Sequence, residues 1–156
     1  MAIAKRLEAL LAAQSIHFEL VPHQHTESSM ITAAEAHVPG DRLAKAVIVK
    51  DGDDFMMVVV PSDYHVHLGR LHRHLGREVG LATEQELAGL FSDCDQGAAP
   101  PVGQAYALKS YVERRLLEEP EVFFDSGDHE HLVKVSGDEF RKLQSAAESV
   151  EVGQHI

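Results

Sequence analysis

The stretch LAKAVIVKDGDDFMMVVVP, residues 43–61, decides the fold. Residues 43–50 and 55–61 are apolar on successive positions, which is typical of strands covered on both faces. The Asp51-Gly52 pair between them is a strong hairpin signal. We therefore predict that these two strands form the centre of a sheet.

Helical and strand patterns surround this hairpin without a regular alternation, which favours one mixed α/β domain with a central, mostly antiparallel mixed sheet flanked by helices. Three Ser/Thr-x-x-Glu patterns predict helix starts by the capping-box rule, at Thr32, Thr83 and Ser136. The predicted helices cover residues 2–13, 32–38, 63–75, 83–91, 111–118 and 136–148. The further predicted strands cover residues 16–21, 105–108, 121–125 and 132–135.

Composition narrows the class of protein. A chain of 156 residues is the size of one domain, which buries roughly 70% of its unfolded surface. The net charge of −11 argues against a general affinity for nucleic acid, so DNA is not an expected partner. No apolar run approaches the ~20 residues of a membrane span, and residues 1–14 read as an amphipathic helix, not a secretory signal. We expect a cytoplasmic protein without a membrane partner.

Cys94 is the single cysteine, which excludes an intrachain disulfide. It lies between Asp93 and Asp95, whose charges raise the pKa of a thiol and make it a poor nucleophile. The sequence contains no serine elbow, P-loop or dinucleotide fingerprint.

Lys45 is the misfit in the first central strand. Alternation places its side chain on the same face as Val47 and Val49, where a covered sheet calls for an apolar residue. Its ammonium must reach water along the aliphatic stem, pair with an acid, or meet a ligand. A partly desolvated ammonium is a good donor to a carbonyl or phosphate oxygen. Both a snorkelling lysine and a substrate contact fit this pattern.

The glycine- and proline-rich residues 93–103 must form a loop. Within it, the segment GAAPP at 97–101 joins a permissive glycine to two prolines, which fix the backbone and offer no N–H. Such a loop presents mainly carbonyl acceptors. It is either a rigid connection or a rigid wall that holds a water or an ammonium group.

Histidine is abundant, with eleven residues, eight of which form four His-x-His pairs. In a strand both imidazoles of a pair lie on one face, whereas in a helix they diverge by roughly 200°. Pairs on the predicted helix 63–75 therefore cannot share an ion, while pairs near loops can, although no third ligand is fixed by spacing. We assign no metal and no other cofactor. The helical pairs are His65/His67 and His72/His74, and the others are His23/His25 and His129/His131.

One basic cluster stands out in this acidic chain. Residues 70–77, RLHRHLGR, contain Arg70, Arg73 and Arg77 and no acid. The cluster is either a solvated helix face or a local patch that contacts phosphates.

Taken in order, five segments resemble the YbaK domain family. They are LAKAVIVKD at 43–51, MMVVVP at 56–61, QGAAPPVGQ at 96–104, YVERRLL at 111–117 and VFFDSGDHEHLVKVSGDEFRKL at 122–143. The family comprises trans-editing aminoacyl-tRNA deacylases related to the editing insertion domain of bacterial prolyl-tRNA synthetase. The resemblance, over about residues 20–145, implies hydrolysis of the ester joining a wrong amino acid, typically alanine or cysteine, to tRNA. It implies mischarged aminoacyl-tRNA as the partner, with an aminoacyl-tRNA synthetase as a second candidate.

The resemblance also implies roles for individual residues. A strand lysine contacts the ester or the adjoining phosphate, a Gly-x-x-x-Pro loop shapes the amino-acid pocket, and a late glycine loop completes it. The chemistry is implied to rest on the terminal ribose hydroxyl of the tRNA and a positioned water. The implied catalytic residues are Lys45, Gly97, Pro101 and His129, the implied substrate-binding residues are Ala98, Ala99, Pro100, Gly127 and Asp128, and the candidate tRNA contacts are Arg70, Arg73 and Arg77.

Two features depart from the family pattern: the strong negative charge, and the letters DHEH at 128–131 where several members carry a glycine- and lysine-rich stretch. Two alternatives to a deacylase therefore stay open. One is a YbaK-fold module that binds an aminoacyl or nucleotide end without turning it over. The other is a histidine-rich metal-binding protein.

Overall fold

The computed structural model describes residues 3–26 and 28–156. Six helices are present in this part of the chain: α1 (Lys5–Ala13), α2 (Ser29–Glu35), α3 (Leu68–Leu75), α4 (Glu84–Leu90), α5 (Arg114–Leu117) and α6 (Gly137–Leu143). The strands are β1 (Glu19–Pro22), β2 (Leu43–Asp51), β3 (Asp54–Pro61), β4 (Tyr64–Val66), β5 (Gly80–Leu81), β6 (Lys109–Glu113), β7 (Glu121–Asp125), β8 (His131–Ser136), β9 (Glu148–Val150) and β10 (Gly153–His155).

One mixed sheet organises the domain, in the strand order β1-β8-β7-β2-β3-β6-β9, with β5 pairing on part of β2. The predicted hairpin of β2 and β3 lies at its centre, in the antiparallel register that places Lys45 opposite Val60. Gly52 in the turn has a φ of 62°, a left-handed conformation that glycine adopts without strain. Strands β2 and β7, and strands β3 and β6, pair in parallel. The predicted class, a mixed α/β domain with helices flanking the sheet, is confirmed.

Both faces of the central hairpin are covered, as its continuous apolar sequence predicts. On one face Ala44, Ile48 and Met57 belong to the main core, together with side chains of α1 and α6. On the other face Val49 packs with Val58 and other β3 side chains, and Leu71 of α3 covers them. The two faces of the sheet therefore carry different layers, and the distinction decides which residues can share a site.

Two of the three predicted helix starts are confirmed. The Thr83 side chain accepts from the Glu86 N–H while the Glu86 side chain accepts from the Thr83 N–H, a complete capping box for α4. The Ser136 side chain accepts from the Glu139 N–H at the start of α6. The prediction at Thr32 was wrong, because α2 begins one turn earlier, with Ser28 as the capping residue.

The interpretation of residues 63–75 as one helix was wrong in its first half. Residues 64–66 form β4, which pairs with β10, and His67 caps α3 by accepting from the Arg70 N–H at 3.1 Å. The pair His65/His67 is therefore not helical. Its exclusion as a metal chelate by helix geometry does not hold, although no group of three or more His, Cys, Asp or Glu able to hold a metal exists in the described part of the chain.

The region after the proline-rich loop was also predicted incorrectly. Residues 103–106 form a 3-10 turn instead of a strand at 105–108, and residues 109–113 form β6 instead of the start of a helix at 111–118. The reason is tertiary, because β6 is held between β3 and β9 and both Tyr111 and Val112 are buried there. Local spacing carried no information about those neighbours.

The ends of several helices and strands also differ from the predicted positions. The helix predicted at 136–148 ends at Leu143, and β9 and β10 follow it. The strand predicted at 16–21 lies at Glu19–Pro22, and the helix predicted at 2–13 begins at Lys5, with residues 1 and 2 outside the described residues. None of the described helices has the length and apolar character needed to cross a membrane.

Candidate functional site

A cleft opens where two strands of the sheet separate. Strand β2 pairs with β7 only through Leu43 and Ala44, and its pairing with β5 begins at Val49. Between these points the described structure places no strand against this edge of β2. The resulting cleft has a volume of about 620 Å³, which is in the usual range for small-molecule sites.

The walls of the cleft come from both faces of the sheet. On the main-core side it is bounded by Ile48, by Leu87 of α4 and by Phe91, which give an apolar surface. On the opposite side Thr32 of α2 and Leu132 of β8 line it. The cleft therefore passes through the gap in the sheet. The loop at 94–99 closes one side, and the side chains of Asp125 and His129 lie among its lining groups.

Lys45 lines this cleft and is half-buried. Its Nζ donates to the Ser62 carbonyl oxygen at 3.3 Å. Burial lowers the pKa of the Lys45 ammonium, and the neighbouring Asp63 carboxylate partly opposes that effect. The acid that acts on Lys45 electrostatically thus lies two residues beyond the end of β3, and the sequence of β2 could not reveal it.

The loop segment at residues 97–101 has one side toward the cleft and one side toward the core. Gly97 has a φ of 79°, and a side chain at this position would point at the His129 ring, about 3.5 Å away. Gly97 and Ala99 line the cleft, whereas Ala98, Pro100 and Pro101 are buried behind it. The Pro101 carbonyl is already occupied, since it accepts from the buried Gln144 side chain at 2.7 Å.

His129 connects the loop to the other wall. It is buried, has a φ of 60°, and its Nε2 lies 2.5 Å from the Gln96 carbonyl oxygen. Because a carbonyl can only accept, Nε2 carries the proton and donates it. Nδ1 then faces Asp125 Oδ2 at 3.6 Å and has no hydrogen-bond partner among residues 3–26 and 28–156. His129 therefore fixes the position of the loop as well as lining the cleft.

Asp125 is the acidic group that sequence reasoning missed. Its Oδ1 accepts from the Gly127 N–H at 2.8 Å and the His129 N–H at 3.3 Å. Burial nevertheless raises the pKa of the Asp125 carboxyl, and these hydrogen bonds and the His129 ring only oppose it in part. The signal was available in the sequence, because Asp125 directly follows the buried residues of β7.

Gly127 and Asp128 lie beside the cleft without lining it. Asp128 Oδ1 accepts from the Ser126 hydroxyl and from the N–H groups of Glu130 and His131, at 3.1, 2.8 and 2.9 Å. Its Oδ2 pairs with His131 Nδ1 at 2.7 Å. These contacts make Asp128 an organiser of the turn that presents His129.

The basic cluster, residues 70–77, lies on the face of the sheet opposite to the apolar wall of Ile48 and Phe91. Its helix α3 buries Leu71 against the face formed by Val49 and Val58, away from the apolar wall of the cleft. Arg77 pairs with Asp51 at 2.6 Å, and Arg70 donates to the Gly153 carbonyl at 3.0 Å. The Lys45 side chain points to this same face, but Arg70, Arg73 and Arg77 are not among the residues that line the cleft.

Cys94 also lines the cleft, and its chemistry follows the sequence-based expectation with a different main cause. Burial, more than the neighbouring acids, raises the pKa of its thiol to about 12. Its Sγ lies 3.2 Å from the Tyr106 hydroxyl, which also contacts Asp93. A thiol in this state is not a nucleophile at neutral pH.

Comparison with known proteins gives a family and a fold. The profile of the aminoacyl-tRNA editing domain matches residues 23–143, well over half of the chain. No curated protein matches the chain significantly.

Several solved structures share the fold, at identities that show the fold alone. A candidate trans-editing enzyme for prolyl-tRNA synthetase has a TM-score of 0.83 and 22% identity, over 97% of this chain and 96% of that chain. A hypothetical protein has a TM-score of 0.83 and 24% identity, over 96% and 100% of the two chains. A candidate signal transduction protein from Marinobacter aquaeolei has a TM-score of 0.76 and 15% identity, and the match spans 95% of this chain but 30% of that one.

Proposed function

The chain belongs to the aminoacyl-tRNA editing domain family, and from this premise we propose that it is an aminoacyl-tRNA deacylase that removes a wrong small amino acid, such as alanine or cysteine, from tRNA. The observation that carries the proposal is the cleft through the gap between β2 and β7. It combines a half-buried ammonium, a rigid loop held by His129 and an apolar wall in a volume of about 620 Å³. That volume suits an aminoacyl group together with part of the terminal nucleoside.

The proposed reaction is hydrolysis by water without a protein nucleophile. Water attacks the carbonyl carbon of the aminoacyl ester, the carbonyl becomes an oxyanion, and the bond to the ribose oxygen then breaks. The proton lost by the water ends on that ribose oxygen, and the free ribose hydroxyl of the tRNA assists the transfer. An aminoacyl ester is already activated, so positioning and oxyanion stabilisation supply most of the required acceleration.

Lys45 is the proposed electrostatic element of the site, contacting the developing oxyanion or the adjoining phosphate. Its partial burial strengthens such a contact, because the charge is less screened than at the surface. Gly97 and Ala99 form the wall next to the reacting group, and His129 holds them in place through Gln96. Ala98, Pro100 and Pro101 support the loop from behind, and Gly127 and Asp128 support His129. The mischarged tRNA is the proposed partner, with a synthetase as a second candidate, and a cytoplasmic location is part of the proposal.

The test is deacylation of tRNAs mischarged with alanine, cysteine, serine or threonine. We expect hydrolysis of at least one by the wild type and a loss of about 100-fold or more in kcat/KM for Lys45→Ala, consistent with removal of one oxyanion contact. Lys5→Ala, which removes an exposed lysine of α1, is the matched control and should keep full activity. If the wild type hydrolyses none of the four substrates, the proposed deacylase activity is refuted. Tight binding of a charged tRNA in that case would instead support a non-catalytic module.

A further inference from the structure

Along the open edge of β2, the described structure leaves the backbone groups of one residue, Ala46, without a strand partner. Pairing with β7 ends at Ala44, opposite Phe124, and pairing with β5 starts at Val49, opposite Leu81. Within the described residues, the segment from Lys45 to Ile48 therefore has a strand on its β3 side only. This segment forms one side of the cleft.

The alternation of hydrogen bonds along β2 identifies which backbone groups face the gap. In an antiparallel pair, every second residue exchanges both of its hydrogen bonds with the same neighbour. The Ser62 N–H donates to the Leu43 carbonyl at 2.7 Å, so Leu43, Lys45 and Val47 direct their backbone groups toward β3. The Ile48 carbonyl instead accepts from the Ala82 N–H at 3.0 Å, on the opposite edge. Ala46 has the same parity as Ile48, so its N–H and C=O point into the gap.

The surroundings of Ala46 match an aminoacyl ester in chemistry and in space. Asp125 and His129 lie among the lining groups of the same gap, and Lys45 is the preceding residue. The apolar wall of Ile48 and Phe91 lies on the face to which the Ala46 methyl group also points. The Ala46 N–H and C=O pair with no strand in the described part of the chain, and the rigid sheet holds them in place, so together they form a preorganised recognition element.

We propose that Ala46 binds the aminoacyl group of the substrate as if it were a single residue of an added antiparallel strand. The Ala46 N–H donates to the ester carbonyl oxygen, and the α-ammonium of the substrate donates to the Ala46 carbonyl. This is the reciprocal pair of bonds that two facing residues of antiparallel strands exchange. The inference rests on the proposed function and specifies which backbone groups recognise the aminoacyl group of its substrate.

Two consequences follow from this geometry. The N–H bond strengthens as the carbonyl oxygen becomes an oxyanion, so Ala46 contributes to the reaction and not only to binding. Because facing residues of antiparallel strands place their side chains on the same face, the amino-acid side chain packs beside the Ala46 methyl against Ile48 and Phe91. Recognition of the α-amino ester is then independent of the side chain of the substrate amino acid. The apolar wall alone limits the size of that side chain.

The N–H can be removed without changing the side chain by replacing Ala46 with lactic acid, its α-hydroxy analogue. With alanyl-tRNA as the probe, we expect kcat/KM to fall at least 10-fold while the midpoint of thermal unfolding stays within a few degrees of wild type, since no ladder bond is lost. The matched control is the α-hydroxy analogue of Val58, which faces Val47 in the ladder, so that its N–H points to β2 and the peptide groups of Ala46 stay intact. It should lower thermal stability and keep kcat/KM within 3-fold. Unchanged kcat/KM for the Ala46 analogue, in a wild type that hydrolyses alanyl-tRNA, would overturn this inference and leave the proposed function standing.

A binding measurement separates this inference from catalysis. The probe is 3′-alanylamino-3′-deoxyadenosine, which carries the same ammonium and carbonyl on a stable amide. We expect the Ala46 amide proton to exchange at least 10-fold more slowly with saturating probe, and the propionyl analogue, which lacks the ammonium, to bind at least 10-fold more weakly. If the wild type hydrolyses no substrate, protection of Ala46 still supports the inference. Equal exchange with and without bound probe refutes it.

Discussion

Asp125 and Asp128 lie three residues apart, yet their surroundings act on their pKa values in opposite directions. Burial raises the pKa of Asp125 despite its hydrogen bonds from Gly127 and His129. Burial also raises that of Asp128, but N–H groups of Glu130 and His131 and the His131 ring outweigh it, so the net pKa is lowered. The charged form of Asp125 in the cleft therefore lowers the stability of the folded state, whereas the charged form of Asp128 stabilises the turn beside the cleft.

The two residues should therefore give opposite dependences of stability on pH. A raised folded-state pKa means that the contribution of Asp125 grows as the pH falls through that pKa, while the contribution of Asp128 is present above the unfolded pKa of about 4 and is lost as the pH falls further. We expect Asp128→Asn to lose about 1–2 kcal/mol of unfolding free energy at pH 7.5, with the deficit shrinking toward pH 3.5. Asp125→Asn should equal or exceed wild type at pH 7.5 and lose ground as the pH falls.

Urea denaturation of the three proteins at pH 7.5, 5 and 3.5 measures these differences. Asparagine keeps an oxygen that accepts the N–H bonds in both variants, so each comparison isolates the charge. Parallel pH profiles for the two variants would contradict the opposite pKa directions.

At the scale of elements, two helices with the same kind of start have different relations to the cleft. Helix α4 begins with the capping box of Thr83 and supplies Leu87 to the cleft wall. Helix α6 begins with Ser136 and packs Phe140 and Leu143 into the core without lining the cleft. The two caps therefore form a matched pair for separating stability from substrate binding.

We expect Thr83→Ala and Ser136→Ala each to lower the free energy of unfolding by about 1 kcal/mol, because each leaves a helix N–H without its acceptor. Only Thr83→Ala should also raise KM for the mischarged tRNA, by about 3-fold or more, since fraying of α4 loosens the cleft wall. Steady-state deacylation with urea titrations checks both effects. Equal KM changes in the two variants would show that α4 has no special relation to the substrate.

At the scale of the whole molecule, the C-terminal strands close the face opposite the apolar wall. Val150 and Val152 are buried there with Tyr111, although they lie beyond the residues matched by the family profile. The buried Glu113 carboxylate accepts from the N–H groups of Val152 and Gly153, both at 3.0 Å. This segment therefore belongs to the folding unit.

Removal of residues 148–156 should lower the free energy of unfolding by at least about 3 kcal/mol, from two lost valine contacts and a buried carboxylate left without donors. Removal of the exposed Ile156 alone is the control and should cost less than about 0.5 kcal/mol. Guanidinium titrations followed by circular dichroism measure both. A full truncation as stable as wild type would mean that the matched region folds without these strands.

The sequence by itself determined the central hairpin, the class of the fold and the capped starts of α4 and α6. These features rest on local signals: continuous apolar runs, an Asp-Gly turn and side chains that accept from N–H groups three residues away. The order of the motifs also identified the family, and it singled out Lys45, Gly97, Ala99 and His129, which the structure places on one cleft.

Only the tertiary structure decided what depends on partners distant in the chain. β6 is a strand because β3 and β9 lie on either side of it, and Asp63 is the acid near Lys45 because β3 ends there. The gap between β2 and β7 exists because their pairing stops at Ala44, and no local pattern encodes where a parallel pair separates. Because of that gap, the backbone N–H and C=O of Ala46, which no sequence pattern distinguishes, point into the cleft.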